Sequence, residues 1–234
     1  MSKGWSRSND GGGRLPVGIA TLPIQHLPLL TSHLSLLTSH VSPLDKASAI
    51  LINRSRLTET SLIVHWCSAE AGLFKTVAKG ALRPKSPFAG RLDLFVTCDV
   101  VIVRSPRTDL HILKEVHLTG PRLQLRDSYR RVLAASYFCK LVELVAERET
   151  PLAGVHELLR LSLDYLNAHE PTVRLIHRFE NRLCAELGLG TVEQGGAALL
   201  HDVFHRPLPP QRDLIFKELD ASIAKEARQA DDFP

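Results

Sequence analysis

The sequence predicts an α+β protein in two segregated parts, a small β-barrel followed by an all-helical part. Five short runs rich in Ile, Leu and Val lie between Ala49 and Leu118, the spacing of strands in a small barrel. Beyond Pro121 the apolar positions recur every three or four residues, which is the period of a helix. Strands come first and helices after, with no alternation of the two, so a layered βαβ enzyme core is not predicted.

Residues 1–46 open with Gly11-Gly12-Gly13, and from Leu15 to Leu44 they carry no Lys, Arg, Asp or Glu. His26 to Ser32 is repeated as His33 to Ser39, with a degraded copy from His40 to Lys46. Pro16, Pro23, Pro28 and Pro43 interrupt the leucine stripe, which is too short for a coiled coil. This segment is expected to be a disordered extension, and its His26, His33, His40 spacing follows from the duplication.

The predicted strands are Ala49 to Asn53, Ser61 to Trp66, Leu73 to Ala78, Leu92 to Val103 and Leu110 to Leu118, within a barrel domain spanning residues 47–120. Gly72 marks a hairpin, and Gly80 to Gly90 a longer connection containing Pro and Gly. In the helical domain, residues 121–234, Val132, Leu133, Tyr137, Leu141, Leu144 and Val145 share one helix face. Pro151 opens a second helix bearing Leu158, Leu159, Leu163 and Leu166, and Pro171 a third that ends near Gly188. A polar tail helix around His201 to His205 and a looser one from Arg212 to Arg228 complete the chain, in a tail that begins at about residue 190.

Composition bounds the rest. With 234 residues and 44% apolar content, the chain can bury a substantial core. Its 29 Lys and Arg against 25 Asp and Glu leave too small an excess to identify a nucleic-acid partner by charge alone. Cys67, Cys98, Cys139 and Cys184 are widely spaced and form no CxxC pair, which fits a reducing cytoplasm better than a disulfide framework. There is no uninterrupted apolar run of about 18 residues, so no membrane span is expected.

The distribution of charge is more informative. Ala71 to Leu92 holds Lys75, Lys79, Arg83, Lys85 and Arg91 and no acidic residue. Lys75 and Lys79, four apart on a strand, are expected on one sheet face, with the loop cations extending it. Cations of this kind track phosphates on small barrels, and Phe74, Phe88 and Phe95 are candidate rings for stacking bases or ordinary core.

Glu59-Thr-Ser-Leu-Ile-Val64, Gly72-Leu73, Val77-Ala-Lys-Gly-Ala81, Arg83-Pro-Lys-Ser86 and Leu92-Asp-Leu-Phe95 resemble, in order and spacing, the N-terminal domain of the RecO recombination mediators. Asp109-Leu-His-Ile-Leu-Lys-Glu115, Ala134-Ala-Ser-Tyr137 with Glu143-Leu144, and Arg178-Phe-Glu-Asn-Arg-Leu183 with Leu187-Gly188 extend the likeness over roughly residues 47 to 190. The resemblance implies an OB-fold barrel, a helical C-terminal domain, and a nucleoid-associated DNA-repair protein without enzymatic activity or cofactor. It implies binding to single- and double-stranded DNA, annealing of complementary strands, and help in loading the RecA recombinase. Its implied partners are RecR and the acidic C-terminal tail of single-stranded DNA-binding protein. The DNA-contacting cations it implies are Lys79, Arg83 and Lys85, with Lys75 and Arg91 beside them.

The partner tail needs a cation for its carboxylate and a pocket for its last side chain. Arg174, Arg178 and Arg182 on the third helix, or Arg130 and Arg131 on the first, are the candidate positions. In one respect the chain departs from its likeness: many RecO proteins carry a four-cysteine zinc motif just after the Leu-Gly helix end, whereas Gly188 to Ala198 contains no cysteine. No metal is therefore expected. His201-Asp-Val-Phe-His205 has the spacing of a zinc hydrolase motif but lacks its glutamate. An RNA-binding OB module is the main alternative function, and a metal-dependent hydrolase a remoter one.

Overall fold

The computed structural model describes residues 46–190 and 195–231, the side chains of 222–231 excepted. The expectations for residues 1–45 lie outside the described residues, as does the stretch 191–194. Five strands, β1 (Lys46–Arg56), β2 (Leu62–Ser68), β3 (Gly72–Ala78), β4 (Thr97–Val103) and β5 (Leu110–Gly120), close into a barrel in the order β1-β2-β3-β5-β4. All neighbours are antiparallel except β3 and β5, which run parallel through Lys75–Leu110, Thr76–His111 and Val77–Ile112. This is the OB-fold architecture.

Alternation along each strand sorts the side chains. Leu62, Val64 and Trp66 of β2, Phe74 and Ala78 of β3, and Cys98, Val100 and Ile102 of β4 fill the barrel. Inside it the Trp66 Nε1–H donates to Thr76 Oγ1 at 2.8 Å, so neither buried polar group is left without a partner. Strand β1 is buried on both faces: Ala49 and Leu51 face the barrel interior, while Ile50 and Ile52 join the helical core.

The run predicted as one strand from Leu92 begins its strand only at Thr97. Leu92 and Val96 are apolar because they plug the barrel from a loop, and Phe95 sits at φ 70°, outside any strand conformation. The loop is fixed to β1 where Phe95 N–H donates to Leu51 O at 2.8 Å and Leu51 N–H to Val96 O at 2.9 Å.

After a 3₁₀ turn (Leu123–Asp127) come α1 (Tyr129–Val145), α2 (Ala153–Ala168), α3 (Val173–Glu186), α4 (Gly196–Phe204) and α5 (Gln211–Asp231). Helix α1 buries Leu133, Ala134, Tyr137, Phe138, Leu141 and Val142 around most of its circumference, as a central helix must. Phe138 stacks on Phe179 of α3 with ring centroids 3.9 Å apart. Thr172 caps α3 by accepting from the Leu175 N–H at 3.2 Å.

Barrel and helices are joined along a polar seam. Glu143 of α1 accepts hydrogen bonds from His65 of β2 and, at 3.2 Å, from Asn53 of β1. The α1–α2 loop lies against the β2–β3 hairpin, with Glu149 N–H donating to Leu73 O and Leu152 N–H to Ala69 O, both at 2.9 Å. Gly72 (φ +66°) permits this approach, because a Cβ there would stand 2.0 Å from the Thr150 carbonyl oxygen. Arg122 closes the far side, donating to Phe95 O at 2.7 Å and to Asp164 at 2.6 Å.

Candidate nucleic-acid interface

The sheet register gathers cations at one end of the barrel. Arg56 pairs with Leu62, and Leu62 with Ala78, so the last residue of β1 stands two strands away from the start of the Lys79 turn. The β1–β2 loop is locked by Leu57 N–H donating to Ser61 O at 3.0 Å and Ser61 N–H to Thr58 Oγ1 at 3.1 Å. It is tied to the β3 end by Leu82 N–H donating to Thr60 O at 2.9 Å. Between them lies a depression of about 380 Å³ lined by Leu57, Thr58, Thr60, Lys79, Gly80 and Arg83.

Past this depression the chain turns at Ser86 N–H to Arg83 O (3.0 Å) and Arg91 N–H to Phe88 O (3.1 Å). The buried Phe88 ring anchors these turns to the barrel, leaving Lys85 exposed beside Arg83. Among the described residues, Arg56, Lys79, Arg83 and Lys85 have no carboxylate partner. Unpaired, solvated cations remain available to phosphates. Glu59, at the tip of the β1–β2 loop, is an acidic residue of this end, and Asp93, paired with Arg54 and Arg126, lines the adjoining hollow beside Leu82.

The other two cations of the acid-free segment are placed differently. Lys79 lies one residue beyond the strand that holds Lys75, and Lys75 lines a separate small cleft with His65, Asp109, Glu143, Arg148 and Glu149. Arg91 is exposed but donates to the Val116 carbonyl at 3.0 Å, fastening its loop to β5. Phe74, Phe88 and Phe95 are all buried and belong to the core, so none offers a face for base stacking. Sequence reading missed Arg56, which lies outside the acid-free window. It also missed Lys114, an exposed bulge residue on β5 that the parallel β3–β5 register carries to the same barrel end.

On the helical side, Arg174, Arg178 and Arg182 all line a groove of about 510 Å³ between α2 and α3, whose walls include Leu158, Leu161 and Tyr165. Arg182 is paired with Glu186 at 3.1 Å, while Leu161 and Tyr165 leave apolar surface exposed. Arg130 and Arg131 are elsewhere, both paired with Glu170 at 3.3 and 2.9 Å. Arg131 also donates to the carbonyls of Gln124 and Asn167, which makes it a strut between the 3₁₀ turn and the end of α2.

Residues 44–122 match the family model "Recombination protein O N terminal", and residues 126–198 match "Recombination protein O C terminal". The chain belongs to the RecO family. It is 26% identical over 140 residues to the DNA repair protein RecO of Rhodopirellula baltica, covering 60% of this chain and 52% of that relative. It is 30% identical over 121 residues to that of Desulfosudis oleivorans (51% and 46%) and 27% over 163 residues to that of Nitrosospira multiformis (69% and 63%). The chain thus spans about half the length of the first of these relatives. No helix among the described residues is long and apolar enough to cross a membrane.

The zinc centre of many RecO proteins does not fit the donors present. Cys184, on α3, is buried and donates its thiol to the Gly196 carbonyl at 3.5 Å, and burial first, then Glu180, pushes it above the usual thiol range. The place next to it is taken by backbone: Gly196 N–H donates to Asn181 Oδ1 at 2.7 Å, and a Cβ on Gly196 would meet Glu180 backbone at 2.5 Å. His201 and His205 sit on and just after α4, His201 beside Asp202, and no group of three or more donors occurs among the described residues. A closed zinc site requires four.

Proposed function

We propose that this RecO-family chain is a recombination mediator that binds single- and double-stranded DNA through the basic end of its barrel and anneals complementary strands. The observation that carries this reading is the depression lined by the unpaired cations Lys79 and Arg83, with the exposed Arg56 next to its Leu57 wall and the exposed Lys85 two residues beyond Arg83. Their side chains are exposed and reach phosphates without breaking an existing pair, so binding is electrostatic and tolerant of sequence. A strand whose charge is neutralised in this way meets its complement with less repulsion, which is the physical basis for annealing. Help in loading RecA, in concert with RecR, follows from the same family reading.

The α2–α3 groove supports the second half of the proposal. It pairs guanidinium groups with apolar walls, which is what the acidic tail of single-stranded DNA-binding protein requires of its receptor. Arg174 and Arg178 are the residues for its carboxylates, and Leu158, Leu161 and Tyr165 for its terminal side chain.

Fluorescence anisotropy with labelled single-stranded DNA over a salt series tests the first half. Binding should weaken with salt at a log–log slope of roughly 0.7 per phosphate contact. Competition by RNA of equal length separates DNA from RNA preference: RNA that competes better than DNA would favour an RNA-binding module instead.

A further inference from the structure

Trp66, Phe74, Phe88 and Phe95, the Phe, Trp and Tyr residues of the described barrel, are all buried. A protein that holds single strands commonly stacks their bases on exposed rings, and the basic end of this barrel offers none. It offers two leucines. Leu57 is 45% exposed and Leu82 41% exposed, large values for residues fixed by backbone hydrogen bonds in ordered turns.

Their positions are complementary. Leu57 rims the depression that Lys79 and Arg83 share, while Leu82 stands on the turn separating it from a second hollow of about 170 Å³ lined by Ala81, Leu82, Phe88 and Gly90. Leu82 N–H is bonded to Thr60 O, so the two loops that carry the leucines are joined and hold them in fixed relation. Unpaired cations border both: Arg56 precedes Leu57 and Arg83 follows Leu82. The acid that lines the second hollow, Asp93, is itself paired with Arg54 and Arg126, and apolar surface flanked by unpaired cations suits a ligand that presents phosphates along one edge and flat apolar faces along the other.

We propose that Leu57 and Leu82 form an aliphatic platform for the nucleobase faces of single-stranded DNA, and that this platform gives the interface its preference for single strands over duplex. The proposal rests on the DNA-binding reading above and adds what distinguishes the two forms of DNA. The cations see phosphates in either form. The leucines see base faces, which a duplex hides within its stack.

The test compares the full chain with the L57A/L82A and L57F/L82F pairs, using labelled oligothymidine and a blunt duplex hairpin at two salt concentrations. The alanine pair should lose about tenfold in affinity for oligothymidine, as expected for two leucine contacts partly withdrawn from water. Its duplex affinity should stay within about twofold and its salt slope should not change, because no cation has been removed. The phenylalanine pair should bind oligothymidine more tightly with duplex affinity unaltered. An alanine pair that weakens both substrates alike or neither overturns the platform, as does a phenylalanine pair that gains nothing on oligothymidine. If the unaltered chain binds neither substrate, the DNA-binding reading itself fails and the platform with it.

Discussion

The buried carboxylate of Glu180 on α3 and the guanidinium of Arg212 on α5 meet at 2.7 Å. Tyr137 of α1 donates its hydroxyl to the same carboxylate at 2.7 Å, and His177 lies 3.2 Å from its other oxygen. Arg212 also covers the Phe216 ring at 4.7 Å. One acid therefore fastens three helices. Arg212→Ala leaves that charge buried without its main partner and should lower the unfolding free energy by about 3 kcal/mol in urea titration. A loss under about 1 kcal/mol would show that α5 is held by Ile215 and Leu219 alone.

Acid should loosen the seam between barrel and helices. Burial works to raise the Glu143 carboxyl, but the hydrogen bond and charge of His65, with Lys140 and Asn53, outweigh it and hold the group below the usual carboxylate range. A depressed carboxylate contributes stability above its unfolded value and loses it as pH falls through the folded one. Glu143→Gln should thus be less stable than the parent at pH 7 by about 2 kcal/mol, the scale of a charge-assisted hydrogen bond. Thermal melts at decreasing pH should show that gap closing below the ordinary carboxylate range.

Replacing Lys79, Arg83 and Lys85 together by Ala should reduce the salt slope of single-stranded DNA binding by about 2, three contacts at roughly 0.7 each. The melting temperature should not move, since these side chains are exposed and make no ion pair among the described residues. Glu59→Gln should act in the opposite direction and tighten binding a few-fold by removing the acid at the loop tip.

Treatment with a strong chelator should leave the melting temperature unchanged, and metal analysis of protein purified without chelator should find well under one zinc per chain. Cys184→Ser should cost stability without altering metal content. Stoichiometric zinc would refute the argument from the donor set.

Arg174→Glu with Arg178→Glu should abolish binding of an acidic peptide with an apolar last residue while sparing DNA binding at the barrel, as read by isothermal titration. Arg130→Ala should leave that peptide's affinity within about twofold, because its side chain is engaged with Glu170.

The barrel was legible in the sequence because its strands are short β-rich runs bounded by turns, and α1 because its apolar positions keep a helical period. Leu92 to Val96 misled because a loop that plugs a core needs the same residues as a strand, and only backbone pairing separates them. Phe74, Phe88 and Phe95 carry the same ambiguity between core and ligand face. Lys79, Arg83 and Lys85 could be found because charge density is local. Arg56 could not, because the Arg56–Leu62–Ala78 register that brings it to them is non-local. Nor could the pairing that occupies Arg130 and Arg131, whose partner Glu170 lies about forty residues downstream in the α2–α3 loop.

The contact at Gly72 also has a consequence in time. Its partner Thr150 lies roughly eighty residues downstream, so at synthesis rates of about 5–20 residues per second the β2–β3 hairpin waits roughly 4–16 s for the loop that covers it. Throughout that interval Cys67 and Leu73 present to water the apolar surface that α1 and its following loop later cover. A nascent chain paused in this window is a substrate for chaperones, and slow codons between Gly72 and Thr150 would lengthen its exposure.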